Sequence, residues 1–332
     1  MAAPRLAVTG NLGLDDTATG TQTGTVGEPS LAASSRGRLV TGNWYAAWSP
    51  DAGASWELAD PFTAFPADRG RFCCDQVYDG QDRWQRAVVL RYPLAELRRS
   101  RPVTRRHWAS TSAGSLRFVA GAGDTMWFGS TDAARRSVRL FAWPDSSEQV
   151  TSWAVRVTPW DDRDYTSAGP GGSPWLSRAD DRITGAWRAG GRLGFLWSAG
   201  RSAGRPHPYV RAAVVDEATL RVLAEPDLWS TTGAWAYPAA APNRRGRVGI
   251  TAFFGGPTHP AHAVGVLDEE AGRWVTTTTA TSTHGPGQGK WGDYLTIAAH
   301  PTRPTSWVAS GFTLQGGSDR RNIEPRVVTF RA

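Results

Sequence analysis

The feature that most constrains this chain is a recurring pair of short apolar segments. Glu28 to Ser34, an extended run rich in small residues, is followed after a polar turn by Arg38 to Asn43. The arrangement returns as Ser173 to Ala179 before Arg182 to Trp187, and as Tyr237 to Asn243 before Arg247 to Ala252. It returns again as Tyr294 to His300 before Trp307 to Gly311. Two further units, starting near Cys74 and near Ser115, fit less closely. Short alternating or apolar runs cut by Gly, Pro, Asp and Asn read as strands. Helical periodicity is nearly absent, and Pro93 to Leu97 offers a single turn.

The units start near residues 28, 74, 115, 173, 237 and 293, a spacing of roughly 41 to 64 residues. A repeat of about 40 to 50 residues built of four strands is the signature of a β-propeller blade. The reading is therefore all-β: a single propeller domain over residues 1–332, with six blades, each a four-stranded antiparallel sheet. Seven blades result if the compressed region 72–122 holds more than one. Small residues suit the innermost strands, which crowd around the central channel. Pro325 to Phe330 is expected to pair with Leu6 to Thr9, so that residues 4–27 contribute a ring-closing strand.

Composition narrows the function classes. With 40% hydrophobic and 20% charged residues, the chain is not of the disordered type. It has no run of 18 apolar residues, so no membrane span is expected. The start, Met1-Ala2-Ala3-Pro4-Arg5-Leu6, lacks the apolar segment of a signal peptide. A mature secreted form is the expectation, and a cytoplasmic protein the alternative. Cys73 and Cys74 are adjacent, which permits two free thiols or a strained vicinal disulfide and no standard zinc site. No metal or other cofactor is expected.

The net charge of +7 favours acidic partners. The densest basic stretch, Arg98, Arg99, Arg101, Arg105 and Arg106, reads as a solvated loop. No zinc-finger spacing, phosphate-binding loop or RNA-binding aromatic signature accompanies it, so nucleic acid is not the expected partner. Of the 37 basic residues, 36 are arginine and one, Lys290, is lysine. A compact ammonium can lose its proton or face a carboxylate where a guanidinium cannot substitute. Chance survival of one lysine is the plainer reading.

One motif is sharper than the rest. Ser49-Pro50-Asp51-Ala52-Gly53-Ala54-Ser55-Trp56 falls between the expected third and fourth strands of the first unit. Asp51 can accept backbone N–H groups across a tight turn, Gly53 can take a positive φ, and Trp56 can pack between sheets. The run matches S-x-D-x-G-x-[S/T]-W, the structural Asp box of sialidases and other BNR-repeat propellers. With Cys73-Cys74-Asp75-Gln76, Arg182 to Arg188 and Gly289 to Tyr294, the chain from about residue 27 to 331 resembles secreted, sialidase-like propellers of actinobacteria. The resemblance implies the propeller fold. It does not carry over sialic-acid hydrolysis, because the Arg-Ile-Pro element of a true sialidase is missing and the opening is Ala3-Pro4-Arg5-Leu6.

Propeller ligands bind at one mouth of the channel, among inner-strand starts and their incoming loops. Those positions here are Glu28, Asp75, Gln76, Trp175, Tyr237, Lys290, Asp293 and Tyr294. Asp75, Lys290, Asp293 and Tyr294 are the candidates for acid–base work, with His284 in the Gly285-Pro286-Gly287-Gln288 loop as a proton-transfer group. Capping of strand starts is the plainer reading for Asp75 and Asp293. Glu28, Gln76, Trp175, His207, Tyr237 and Trp291 are the candidates for substrate contact; Trp44, Trp175, Trp235 and Trp291 offer faces for sugar stacking, though most of the 17 Trp belong to packing. His207, His259 and His262 all read as loop residues beside prolines, too sparse for a metal. His300 reads as structural.

The functional expectation is a carbohydrate-active propeller, monomeric, working on an acidic or complex glycan as a hydrolase or a uronate lyase. The alternative is a non-catalytic lectin or protein-binding scaffold.

Overall fold

The computed structural model describes residues 4–14, 28–42, 46–59, 76–93, 96, 104–286, 290–316 and 323–332. Cys73, Cys74, Asp75, Trp44 and three of the clustered arginines, Arg98, Arg99 and Arg101, lie outside the described residues. Strand β1 (Ala7–Gly13) leads into six antiparallel sheets. The first holds β2 (Ser30–Ser34), β3 (Gly37–Thr41), β4 (Ala46–Ser49) and β5 (Glu57–Ala59). The second holds β6 (Gln76–Tyr78), β7 (Trp84–Arg91) and β8 (Arg106–Ser110). The third holds β9 (Arg117–Phe118), β10 (Thr125–Thr131), β11 (Ser137–Pro144) and β12 (Thr151–Arg156). The fourth holds β13 (Ile183–Ala189), β14 (Arg192–Ala199), β15 (Tyr209–Asp216) and β16 (Val222–Ala224). The fifth holds β17 (Ala234–Pro242), β18 (Val248–Gly255), β19 (Ala261–Asp268) and β20 (Arg273–Thr281).

The sixth sheet takes β21 (Thr296–Ala299), β22 (Ser306–Leu314) and β23 (Ile323–Arg331) from one end of the chain and β1 from the other. Leu12 stands opposite Val327 and Ala7 opposite Arg331. This is the strand order of a six-bladed propeller. Inner strands lie side by side around the channel: Thr184 donates to the Pro238 carbonyl at 2.7 Å, and the Ala120 amide to the Ala186 carbonyl at 2.9 Å. Crowding there explains the composition of β17, Ala-Trp-Ala-Tyr-Pro-Ala-Ala-Ala-Pro, which is buried from Ala234 to Ala241.

Two units differ from the sequence reading. In the fourth, Ser173 to Ala179 is not a strand, and the inner strand is Ile183–Ala189. Pro170–Gly172 forms a 3₁₀ turn, whereas Gly190 and Gly191, at φ +55° and +71°, supply the two-residue hairpin joining Ala189 to Arg192. In the second, three strands are described and β6 runs toward the channel mouth. Trp84 packs by Gly114 near the mouth, and Arg91 bonds the carbonyls of Pro144, Asp145 and Ser147 at the far end, so β7 descends and its partner β6 ascends. The inner strands of the other five sheets run the opposite way.

The core is aromatic. Trp175, Trp187, Trp197, Trp291 and Trp307 are fully buried, Trp307 stacks on Phe330 at 5.1 Å and Trp291 on Phe312 at 5.0 Å. Burying a large apolar side chain stabilises by about 1.5–3 kcal/mol. Among the described residues no helix is long and apolar enough to cross a membrane.

The Ser49–Trp56 turn joins β4 to β5 at the channel end remote from the inner-strand starts. Asp51 accepts from the Ser55 amide at 2.8 Å and the Ser55 hydroxyl at 2.6 Å, while Ser49 donates to Asp51 and accepts from the Gly53 amide at 2.7 Å. These bonds, led by the Ser55 hydroxyl, hold the Asp51 carboxyl down at about 2. Gly53 takes φ +99°, which a side chain would strain. Trp56 reaches back to the main core.

Candidate active site at the channel mouth

The inner strands deliver their first residues to one cavity of about 460 Å³. Glu28 precedes β2, Arg117 opens β9, Arg182 immediately precedes β13, and Tyr294 precedes β21; all four line it. Gln76 and Tyr78 of β6 line it from the second sheet. Gln76 also accepts the Trp84 indole N–H at 2.6 Å.

Arg182 organises this mouth. Its Nε bonds Asp180 at 2.8 Å, Nη1 donates to the Tyr294 hydroxyl oxygen at 2.9 Å, and Nη2 lies 3.3 Å from Asp293 Oδ2. The guanidinium also stands over the Tyr294 ring, 5.7 Å from its centroid. Burial weakens its charge, but the bond to Asp180 and the charges of Asp180, Tyr294 and Asp293 more than offset that, and its pKa is raised. Tyr294 is raised too, first by burial and then by Asp293, Asp180 and Glu28, against the pull of Arg182. Its phenol therefore stays protonated at neutral pH. Since Arg182 donates to its oxygen, its own proton is available to a ligand.

Arg117 differs. It is half-buried on the same cavity, and among the described residues no carboxylate pairs with it. Burial pushes its pKa down from the ordinary arginine value, opposed by Tyr294, without approaching neutrality in any arginine. A desolvated cation facing a cavity attracts an anion.

Asp293 is largely shielded, with its side chain 14% exposed, and holds two longer ion pairs, to Arg182 at 3.3 Å and to Lys290 Nζ at 3.9 Å. Lys290 itself does not line the cavity. Its backbone bridges Leu176, and its ammonium serves Asp293 as a counter-ion. His284 is half-buried, its Nδ1 3.2 Å from the Thr283 hydroxyl, and it does not line the cavity. His207 is half-buried in the loop before β15 and does not line the cavity either.

Tyr237 lies beneath the mouth. It is 3% exposed, its backbone takes φ +54°, and no protein atom accepts its hydroxyl. The register of β17 against β18 shifts between Ala236 and Ala239, so Tyr237 and Pro238 form a bulge. Two sugar-stacking candidates are corrected: Trp175 is 0% and Trp291 1% exposed, packed edge-to-face at 5.8 Å, so neither ring has a face for a ligand. Trp235 is likewise buried, against Phe254 at 4.9 Å. His262 is no loop residue; it lies in β19 at 0% exposure. Among the described residues no three His, Cys, Asp or Glu side chains group as metal ligands.

Arg117, Arg182, Asp180 and Tyr78 are not among the candidates that the sequence offers. The strand-start rule that picked Glu28 selects Arg182 and Arg117 once the inner strands are placed at β13 and β9. Beside Asp180 stands a further charged group, in which Arg135 bridges Asp162 at 2.6 Å and Asp181 at 3.3 Å, and Tyr165 donates to Asp162 at 2.8 Å.

No family model and no curated protein matches the chain. Among solved structures it is similar to an α-L-arabinanase of Penicillium chrysogenum complexed with arabinobiose, at 11% identity over 97% of this chain and 98% of that one, TM-score 0.35. It is also similar to the α-L-arabinofuranosidase arb93a of Fusarium graminearum, at 11% identity over 97% of each chain, TM-score 0.38. A third is an ulvan lyase bound to -[GlcA(1-4)Rha3S]-, at 9% identity over 86% of this chain and 81% of that one, TM-score 0.36. At such scores the architecture rests on the strand order of the chain itself.

Proposed function

We propose that this chain is a carbohydrate-active propeller that takes an acidic sugar into the channel mouth and cleaves its glycosidic bond, by hydrolysis or by elimination. The observation that carries the reading is Arg117, a cation on the cavity wall with no carboxylate partner among the described residues. A sugar carboxylate on Arg117 satisfies it with a charge-assisted pair. Within the same cavity Glu28 supplies a base and Tyr294 a proton donor, the two roles that either reaction requires. A polymeric substrate goes with a secreted, monomeric, single-domain protein, which we include in the proposal. The Ser49–Trp56 turn, with its hydrogen bonds, supports the resemblance to sialidase-like propellers.

Incubation with polygalacturonate, alginate, hyaluronan and sialyllactose tests this. Elimination yields the ultraviolet absorbance of an unsaturated uronate, and hydrolysis yields new reducing ends without it. Arg117→Gln is expected to lower kcat/KM at least about 100-fold, the scale of leaving a buried ionic group without its partner. Binding without turnover would make the chain a lectin. No product from any of the four, with Arg117→Gln binding them as well as the native chain, would sink the reading.

A further inference from the structure

The mouth cavity carries two tyrosines of opposite character. Tyr294 is engaged: Arg182 donates to its hydroxyl oxygen at 2.9 Å and lies over its ring, 5.7 Å from the centroid. Tyr78 lines the same cavity from the second sheet, and among the described residues no ring, cation or hydrogen-bonding side chain engages its phenol. At 55% exposure it is the most open Phe, Tyr or Trp side chain among those residues.

The openness of the ring is not slackness of its support. Tyr78 stands opposite Trp84 of β7, whose indole donates to Gln76 at 2.6 Å and packs on Gly114, where a Cβ would meet it at 3.2 Å. Directly after Tyr78, Asp79 accepts from the Gln81 and Arg83 amides at 2.9 and 3.0 Å. It also accepts from Arg83 Nε at 2.9 Å and Gln85 Nε2 at 3.0 Å, so the turn that roots the ring is closed on itself. The second sheet packs on the third, where Trp108 meets Phe128 edge-to-face at 5.7 Å. That third sheet carries Arg117 to the cavity. An open aromatic ring on a fixed support and a desolvated guanidinium therefore border one space from adjacent sheets. A single exposed ring on an outer surface needs no explanation, but one on the wall of such a cavity offers a ligand an apolar face.

We infer that Tyr78 is the stacking platform for a second sugar ring, the one linked to the acidic sugar on Arg117, so that the mouth selects an oligosaccharide over a free sugar acid. The carboxylate of one sugar pairs with Arg117, and the C–H face of its neighbour covers the Tyr78 ring, taking apolar surface out of water. A tyrosine with few rotamers, already held in place, loses little freedom on binding. The cavity of about 460 Å³ falls in the range of ~300–1,000 Å³ that encloses drug-sized ligands, the class of a disaccharide. The inference rests on the reading of the mouth as an acidic-glycan site, and its test separates the two.

The full chain is titrated by calorimetry with paired ligands: galacturonate and trigalacturonate, mannuronate and trimannuronate, glucuronate and a hyaluronan tetrasaccharide, sialic acid and sialyllactose. Where the chain cleaves a ligand, KM is read in place of Kd. At least one oligosaccharide is expected to bind more tightly than its monosaccharide. Tyr78→Ala should weaken that oligosaccharide about 10-fold, leave the monosaccharide within about twofold and leave the melting temperature unchanged. Tyr78→Phe should bind as the native chain does, because the ring and not the hydroxyl is used. Arg117→Gln should weaken both members of the pair. Oligosaccharide binding unchanged in Tyr78→Ala but lost in Arg117→Gln overturns the platform and leaves the acidic-glycan reading standing. Equal losses for both members in Tyr78→Ala, or a loss in Tyr78→Phe as large as in Tyr78→Ala, also overturn it. No binding of any of these ligands by the native chain overturns both.

Discussion

Two buried polar side chains of the fifth blade, separated by one strand, meet opposite fates. His262, in β19, is 0% exposed and fully satisfied: its Nε2 lies 2.7 Å from Thr251 Oγ1 and its Nδ1 2.7 Å from Thr279 Oγ1. Thr279 spends its own proton on the His262 carbonyl at 3.0 Å, so toward Nδ1 it accepts. Nδ1 therefore carries a proton, and because burial holds the ring neutral, Nε2 is left to accept from Thr251. Tyr237, in β17, is almost as buried but has no protein acceptor and a strained backbone. The histidine closes its hydrogen bonds within the wall between blades, whereas the tyrosine leaves its donor open beneath the mouth. Satisfied burial builds the ring, whereas the tyrosine combines a strained, braced backbone with a buried donor that the protein leaves unused.

The sharpest way to break this contrast is to open the closed side. His262→Ala removes a packed ring and strands the Thr251 and Thr279 hydroxyls, and is expected to cost about 3–5 kcal/mol of stability in urea unfolding. The space left cannot collapse easily, because Gly311 packs so closely on the ring that a Cβ there would meet it at 2.2 Å. A cost under about 1 kcal/mol would remove His262 from the structural side of the comparison.

Acid should act on the same group. Burial, with Arg326 adding to it, depresses the His262 imidazole to about 3, against 6.5 in an unfolded chain. A depressed histidine stabilises fully above the unfolded value and loses that contribution as pH falls from about 6.5 toward about 3. The slope is at most about 1.4 kcal/mol per pH unit. His262→Asn cannot titrate, so the stability difference between native and variant chains should shrink steadily across that window. A constant difference from pH 7 to pH 4 would show that the ring is protonated without penalty.

This contrast was only half legible in the sequence. The strand pairs at β2/β3, β17/β18 and β21/β22 were readable because small residues alternate with turn residues at fixed spacing. The fourth inner strand was misplaced, since Ser173 to Ala179 has the apolar content of a strand while Gly190-Gly191 carries the hairpin. That slip hid Arg182 and turned Trp175 into a surface residue. His262 was misread because His-Pro-Ala-His looks polar, and only the fold brings two threonines to its ring. Tyr237 was picked as a channel residue, but its strain was not seen. Pro238 within a run of alanines was the available signal, as a proline inside a strand is confined to an edge or a bulge, and here it is both.

The smallest expected effect tests the bracing of the open side. Thr184→Val keeps the shape of the side chain and removes the hydrogen bond to the Pro238 carbonyl, a net contribution of about 0.5–1.5 kcal/mol. If the bulge is held only by general packing, stability falls by that amount and turnover is unchanged. If the bond from β13 holds the Tyr237 side chain in place for the reaction proposed at the mouth, turnover should fall in Thr184→Val by roughly the same factor as in Tyr237→Phe, and the double variant should be no worse than either single one. Additive losses in that cycle would mean that Thr184 and Tyr237 act separately, and would confine the strain at φ +54° to the fold.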